Sequence, residues 1–283
     1  MVLGNPASPV RETAGQSIHK GSEAVMRRIR PIISIGLPLL LWEFASRMGW
    51  INNFLFPPPS AIAQAIWLQV GPHGNPPHAI LFHILRSMVR ILAGVSLALA
   101  IGCIVGLLIG LTRWGNAIFK PIVSIIVPVP TLAWTPVLLL VFGIDDRTTI
   151  TVVFIAGSLT IIYNVVAGAE MLGARVFWVI QSMGASPWQI FYKLIIPGIF
   201  PYLITGLKLG IGFAWRALIA AEMLAASSYG LGFMIFDATQ YLSMDIIFGG
   251  MLLIALSGYL LEHVILGRVE AVTIKRWGVQ VER

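Results

Sequence analysis

Ile91–Thr112 reads ILAGVSLALAIGCIVGLLIGLT, twenty-two residues without a charge. A bilayer's hydrocarbon core is about 30 Å thick and needs about 20 apolar residues per helix, so this stretch is long enough to cross it. Two more uncharged runs, 121–144 and 148–169, follow at once. Over the whole 283-residue chain 57% of residues are hydrophobic and 11% charged. A soluble domain carries roughly 25% charged residues, so this chain has too few to clothe a water-facing surface. The same balance excludes a disordered, collagen-like or disulfide-stapled chain. The single cysteine, Cys103, lies inside the apolar run and leaves no intrachain disulfide to form.

Three further spans carry charges: 31–50 with Glu43 and Arg47, 199–224 with Lys208 and Arg216, and 246–266 with Glu262 and His263. The sequence thus predicts an all-α integral membrane protein with six helices, at 31–50, 86–112, 121–143, 148–170, 199–224 and 246–266. With a cytoplasmic N-terminus, thirteen Lys and Arg fall inside and four outside (Arg47, Arg86, Arg90, Arg147). Short loops on the cytoplasmic side carry the excess of positive charge, which places both termini there. Residues 1–30 read as a polar, basic leader and not a signal peptide, 31–266 as the membrane domain, and 267–283 as a cytoplasmic tail. In the first outer loop, Ser60 is expected to cap an interfacial helix over 61–70.

The longest cytoplasmic connection, 171–198, holds Arg175, Trp178, Met183, Gly184, Ala185, Ser186, Pro187, Trp188 and Ile190. Gly184 suits the left-handed residue that ends a helix, Ser186 an N-cap, and Pro187 the first position of a new helix. The expectation is a helix–turn–helix outside the membrane, with Trp178, Met183, Trp188 and Ile190 as apolar anchors. It would dock a soluble partner or rest on lipid headgroups.

The spacing Gly184, Leu194, Pro197 resembles the cytoplasmic loop of ABC importer permeases, although Trp178-Val179-Ile180 stands where that family has Glu-Ala-Ala. Three stretches resemble more narrowly the permeases for taurine, alkanesulfonate, nitrate and bicarbonate. They are Phe54–Pro59, Pro128–Pro136 with Phe142-Gly143, and Thr205–Gly212 with Ala220-Ala221-Glu222 and Gly230-Leu231-Gly232. The resemblance runs from about Pro31 to Arg268. It implies the six-helix type I importer fold, a homodimer with twelve spans, and a coupling loop docked on a separate ATPase that holds ATP and Mg. It also implies a periplasmic or surface-tethered solute-binding protein, a bacterial inner-membrane location, and no bond-changing chemistry on this chain.

Several residues are candidates for a translocation path. Pro128 and Pro130 remove backbone donors and break the third span, a break tolerated only against protein or a wet cavity. Trp134, one turn on, walls the path or packs. Tyr163 and Asn164 are polar within the fourth span, and Trp215 and Arg216 lie in the fifth. An arginine there costs at least a few kcal/mol unless paired or hydrated. It grips an anion through its guanidinium fork or closes a salt bridge with another helix. Glu222, six residues on, lies on the wrong side of the same helix to be that partner. Glu43 and Arg47 read as an i,i+4 ion pair, Asp145-Asp146-Arg147 as a solvated outer turn, and Gly102, Gly106 and Gly110 as a close-packing stripe. His73, His78 and His83 lack ligand spacing, so no metal site is expected. No P-loop is present, and carboxylates suited to a proton relay are few, which leaves a stand-alone secondary carrier or channel as the alternative.

Overall fold

The computed structural model describes residues 33–72, 77–265 and 267, and among them every regular element is helical. The leader 1–30, the tail beyond 267 and His73 lie outside the described residues. The chain divides into two compact units, Met1–Gln64 and Ala65–Arg283.

The first unit holds helix α1 (33–47) and the start of α2 (Pro59–Val70). The expected pair closes, Arg47 Nε donating to Glu43 at 2.6 Å. Ser60 does not cap α2 as expected. The helix begins one residue earlier at Pro59, which needs no donor at a helix start. Ser60 instead donates its hydroxyl (2.8 Å) and amide (3.0 Å) to Glu43.

The second unit is built on α3 (Ala79–Leu111), α6 (Asp146–Met171) and α9 (Ile196–Ala225). These three, with α11 (Met244–Tyr259) and its π-helical continuation Leu260–Ile265, are long and apolar enough to cross a membrane. The small-residue stripe of α3 lies flush on α6. A Cβ added at Gly94, Gly102, Gly106 or Gly110 would come within 3.0 Å of Val153, Ile161, Val165 or Ala169, respectively. Such contacts let backbones approach where lipid offers no hydrophobic drive. One core gathers around Val152, Val153, Trp215 and Leu218, another around Ile161, Val165 and Ile199.

The third expected span is two helices, α4 (Arg113–Ile126) and α5 (Thr135–Phe142). A 3₁₀ turn, Thr131–Trp134, joins them and the bend is 94°. The fifth expected span begins earlier than 199. Helical structure runs unbroken from Pro187 through a π turn, Phe191–Ile195, into α9. The π turn sits immediately before Pro197, and the Ile196 amide donates to Phe191 O, a wider ring that absorbs the proline without breaking the rod. The expected loop 225–245 contains a further helix, α10 (Leu231–Gln240), packed on α9, α11 and α3.

Candidate coupling loop and translocation path

At one end of the second unit, α7 (Gly173–Ser182) and the short helix α8 (Pro187–Ile190) form a hairpin. Its turn follows the local chemistry of the sequence. Gly184 has φ +83° and its amide donates to Gln181 O at 3.0 Å, closing α7. Ser186 accepts from the Gln189 amide while the Gln189 side chain accepts from the Ser186 amide, a reciprocal capping box. Pro187 occupies the first turn. Trp178 is 70%, Met183 80% and Trp188 68% exposed. Trp188 also rests edge-on against Tyr192, 4.6 Å between centroids. Arg175 falls within α7, its side chain outside what is described. Ala185 is half-buried. Ile190 departs from its expected role as an exposed anchor. It is buried with Ile195 and Ile199, because it lies three residues into a helix whose inner face continues α9. Of the four expected apolar anchors the hairpin therefore exposes two tryptophans and a methionine, while Ile190 is buried.

In the 94° break, Pro128 and Pro130 are exposed. Trp134 is half-buried, and its Nε1 and the Thr135 hydroxyl are buried without a hydrogen-bond partner among the described residues. Tyr163 is half exposed, and Asn164 donates to Thr160 O at 2.9 Å while its Cβ packs against Gly206 of α9. Trp215 does not line an opening. It is buried in the core, its indole against Gly258 of α11, because the α9 face at 214–215 and 217–218 turns inward. Arg216 points the other way. It is exposed, with its guanidinium carbon 5.8 Å from the Phe213 ring centroid, and makes no ion pair among the described residues. Lys208, Gly212, Phe213, Arg216, Glu262 and His263 line a cavity of about 390 Å³ between α9 and the π-helical end of α11.

A second charged site went unread in the sequence. Arg90 of α3 is fully buried; its Nη1 donates to Glu222 at 2.8 Å, and its Nε and Nη2 to Asp146 at 2.9 and 2.6 Å. Arg86 adds a contact to Asp146 at 3.3 Å. Asp146 is thus not the solvated turn residue expected of Asp145-Asp146-Arg147, although Asp145 does cap α6 by accepting from the Arg147 amide. Glu222 also accepts from Ser87 and from the Gly232 amide, Ser87 accepts from the Leu231 amide, and His83 Nδ1 lies 2.8 Å from Gly230 O. The 230–232 segment is thereby fastened to α3 and α9. The one available sequence signal was that Arg86, Ser87 and Arg90 share a helical face.

Residues 98–272 match the family described as binding-protein-dependent transport system inner membrane component. The taurine transport system permease protein of Escherichia coli is 31% identical, the match covering 81% of this chain and 83% of that one. The nitrate import permease protein of Synechocystis is 30% identical over 84% of this chain and 86% of its own length. The bicarbonate transport system permease protein of the same organism is 33% identical over 74% and 76%. Among solved structures, a chain of the MetNI methionine ABC transporter, in inward-facing conformations, superposes with TM-score 0.54 at 18% identity. It covers 74% of this chain and 98% of that one, a likeness of fold. With apolar helices long enough to span a bilayer and a sharply bent apolar helix pair beside them, this chain is a multi-pass membrane protein belonging to the binding-protein-dependent transport permeases, in the branch that holds the taurine, sulfonate, nitrate and bicarbonate permeases.

Proposed function

We propose that this chain is the permease subunit of an ABC importer for a small anion, two copies forming the path and each docking one ATPase subunit through the α7–α8 hairpin. The observation that carries the reading is the hairpin itself. Trp178, Met183 and Trp188 stand exposed on a turn held rigid by Gly184 and a capping box. Aromatic and Met anchors on a pre-shaped element are what a protein partner recognises, since little ordering entropy is then lost on docking. ATP and Mg belong to that partner. Closure of the ATPases draws the two hairpins together and turns the path, which a solute-binding protein supplies from the other side. Both termini are cytoplasmic in this arrangement, in keeping with the excess of basic residues in the expected cytoplasmic segments. The anionic cargo follows from the relatives' named substrates and from Arg216 facing an opening on α9.

Mild-detergent capture of the tagged chain from its native membrane, followed by an ATPase assay, tests this. A P-loop subunit should copurify, and Gly184→Val or Pro187→Trp should lower solute-stimulated ATPase activity at least tenfold while the chain stays inserted. A chain that elutes alone and moves solute without ATP overturns the reading in favour of a secondary carrier.

A further inference from the structure

Another cavity, of about 350 Å³, opens at the far end of α3 from the hairpin. His83 lines it, whereas Gly110, about 40 Å further along the same helix at 1.5 Å per residue, lines a cavity with Phe177 of the hairpin. One wall belongs to α10, where Phe233, Asp237 and the C-capping Tyr241 recur every four residues and share a face. His83 and Tyr229 form the wall beside it. The His83 ring stacks on Phe233 at 6.3 Å and meets Tyr229 edge-on at 5.4 Å. His83 is itself buried, its Nδ1 lying 2.8 Å from Gly230 O and 3.1 Å from Gly230 N, so the aromatic wall is held in place from behind. Asp237, one turn beyond Phe233, brings an exposed carboxylate to these rings. At the rim Tyr241 is 76% exposed and Leu242 beside it is exposed as well. Leu242 has φ +55°, a left-handed backbone that bulky side chains rarely adopt, and the Ser243 amide secures the turn by donating to Ala238 O at 3.0 Å. Strain of this kind persists where the surroundings hold it, and it gathers at functional sites.

Among the described residues no Lys or Arg lines this cavity, so the anionic cargo proposed above finds no counter-charge in it. Its chemistry suits the opposite sign. Aromatic faces carry negative potential and the Asp237 carboxylate adds a full negative charge, so both attract a cation. A guanidinium or ammonium on an alkyl stem uses the whole cup, the stem lying on the rings and the head reaching the carboxylate. The rim indicates what carries that cation. A charged anchor entering a pocket inside a ring of exposed apolar groups, here Tyr241 and Leu242, is the anatomy of a protein–protein hot spot. A soluble protein meets this end of the bundle from the side opposite the ATPases. We propose that the cup receives a basic side chain of the solute-binding protein, an arginine or lysine whose head pairs with Asp237 and whose stem lies against Phe233, Tyr229 and Tyr241. That partner belongs to the importer reading, on which the proposal rests; the cup gives it a place and a charge.

The first test uses two probes of nearly equal shape, butylguanidinium as the mimic of an arginine side chain and butylurea as its neutral counterpart. Saturation-transfer NMR on the full-length chain in lipid nanodiscs should show the cation binding about tenfold more tightly. Asp237→Asn should abolish that preference by weakening the cation alone, and Tyr241→Leu should weaken both probes. Glu170→Gln, at the hairpin end, should change neither. The second test uses the assembled transporter with its own binding protein in proteoliposomes. Asp237→Asn should raise the binding-protein concentration that gives half-maximal ATPase stimulation about tenfold, with the basal and maximal rates unchanged. Butylguanidinium, but not butylurea, should raise it in the wild type. Equal binding of the two probes, no binding of either, or a preference that survives Asp237→Asn overturns the cation cup. Cation binding that leaves the binding-protein dependence untouched assigns the cup to a free small cation and overturns the protein partner. The nanodisc test needs no ATPase, so a failed cup and a failed importer reading are told apart.

Discussion

Arg90 and Arg216 are both arginines on apolar helices, and the fold treats them in opposite ways. Arg90 is sealed between Glu222 and Asp146, with Ser87 and the 230–232 backbone completing the shell. Arg216 is exposed beside Phe213 and faces an opening. A buried, fully bonded charge pair fixes geometry, and breaking one side strands the other charge; an open guanidinium contributes little to holding the bundle and is free to meet a solute. The comparison supports a structural role for the first and is compatible with the proposed transport role for the second, and each reading can be broken.

The largest effect is expected at the sealed site. Arg90→Ala should destabilise the chain by about 3–5 kcal/mol, because Glu222 is left buried without its cation. Thermal unfolding of the solubilised protein would register this as lost folded yield or a large fall in Tm. Arg90→Met combined with Glu222→Leu should recover much of the loss, since the stranded charge goes with its partner. If the double variant is as unstable as the single ones, the cluster is not acting as a pair.

Gly230→Ala comes next. Its new methyl would lie 2.6 Å from Arg90 Nη1 and 2.7 Å from the Glu222 carboxyl carbon, and overpacking of this kind costs about 1–3 kcal/mol. A normal melting curve would show that the 230–232 segment moves freely and is not fastened. Ser87→Ala should cost about 1 kcal/mol, as it removes a hydroxyl that donates to Glu222 and accepts from the Leu231 amide. Arg216→Gln should sit at the bottom of the series, within about 0.5 kcal/mol of the wild type in stability, while reducing anion uptake. A large loss of stability there would move Arg216 to the same structural role as Arg90 and remove the contrast.

How much of this was legible beforehand depends on range along the chain. The turn at Gly184, Ser186 and Pro187 could be read because a positive φ, a cap and a proline act within four residues. Gly102, Gly106 and Gly110 were readable as a packing stripe for the same reason, since one helix displays them together. The Arg90 cluster was not. Its partners lie 56 and 132 residues away, and no periodicity on α3 names them. Trp215 and Ile190 were misplaced because helix phase separates faces without saying which one turns inward. Ser60 lost its capping role to a carboxylate seventeen residues earlier.

Composition, apolar length and local turn chemistry by themselves determined that this chain crosses a membrane as helices and presents a shaped hairpin at 173–190. These properties arise from transfer free energy summed over a segment and from dihedral preferences of neighbouring residues. Only the tertiary structure decided which charges are sealed and which stay open. Burial and pairing depend on how α3, α6, α9 and α11 come together, and that packing placed Glu222 on Arg90 and Glu262 over Gly212.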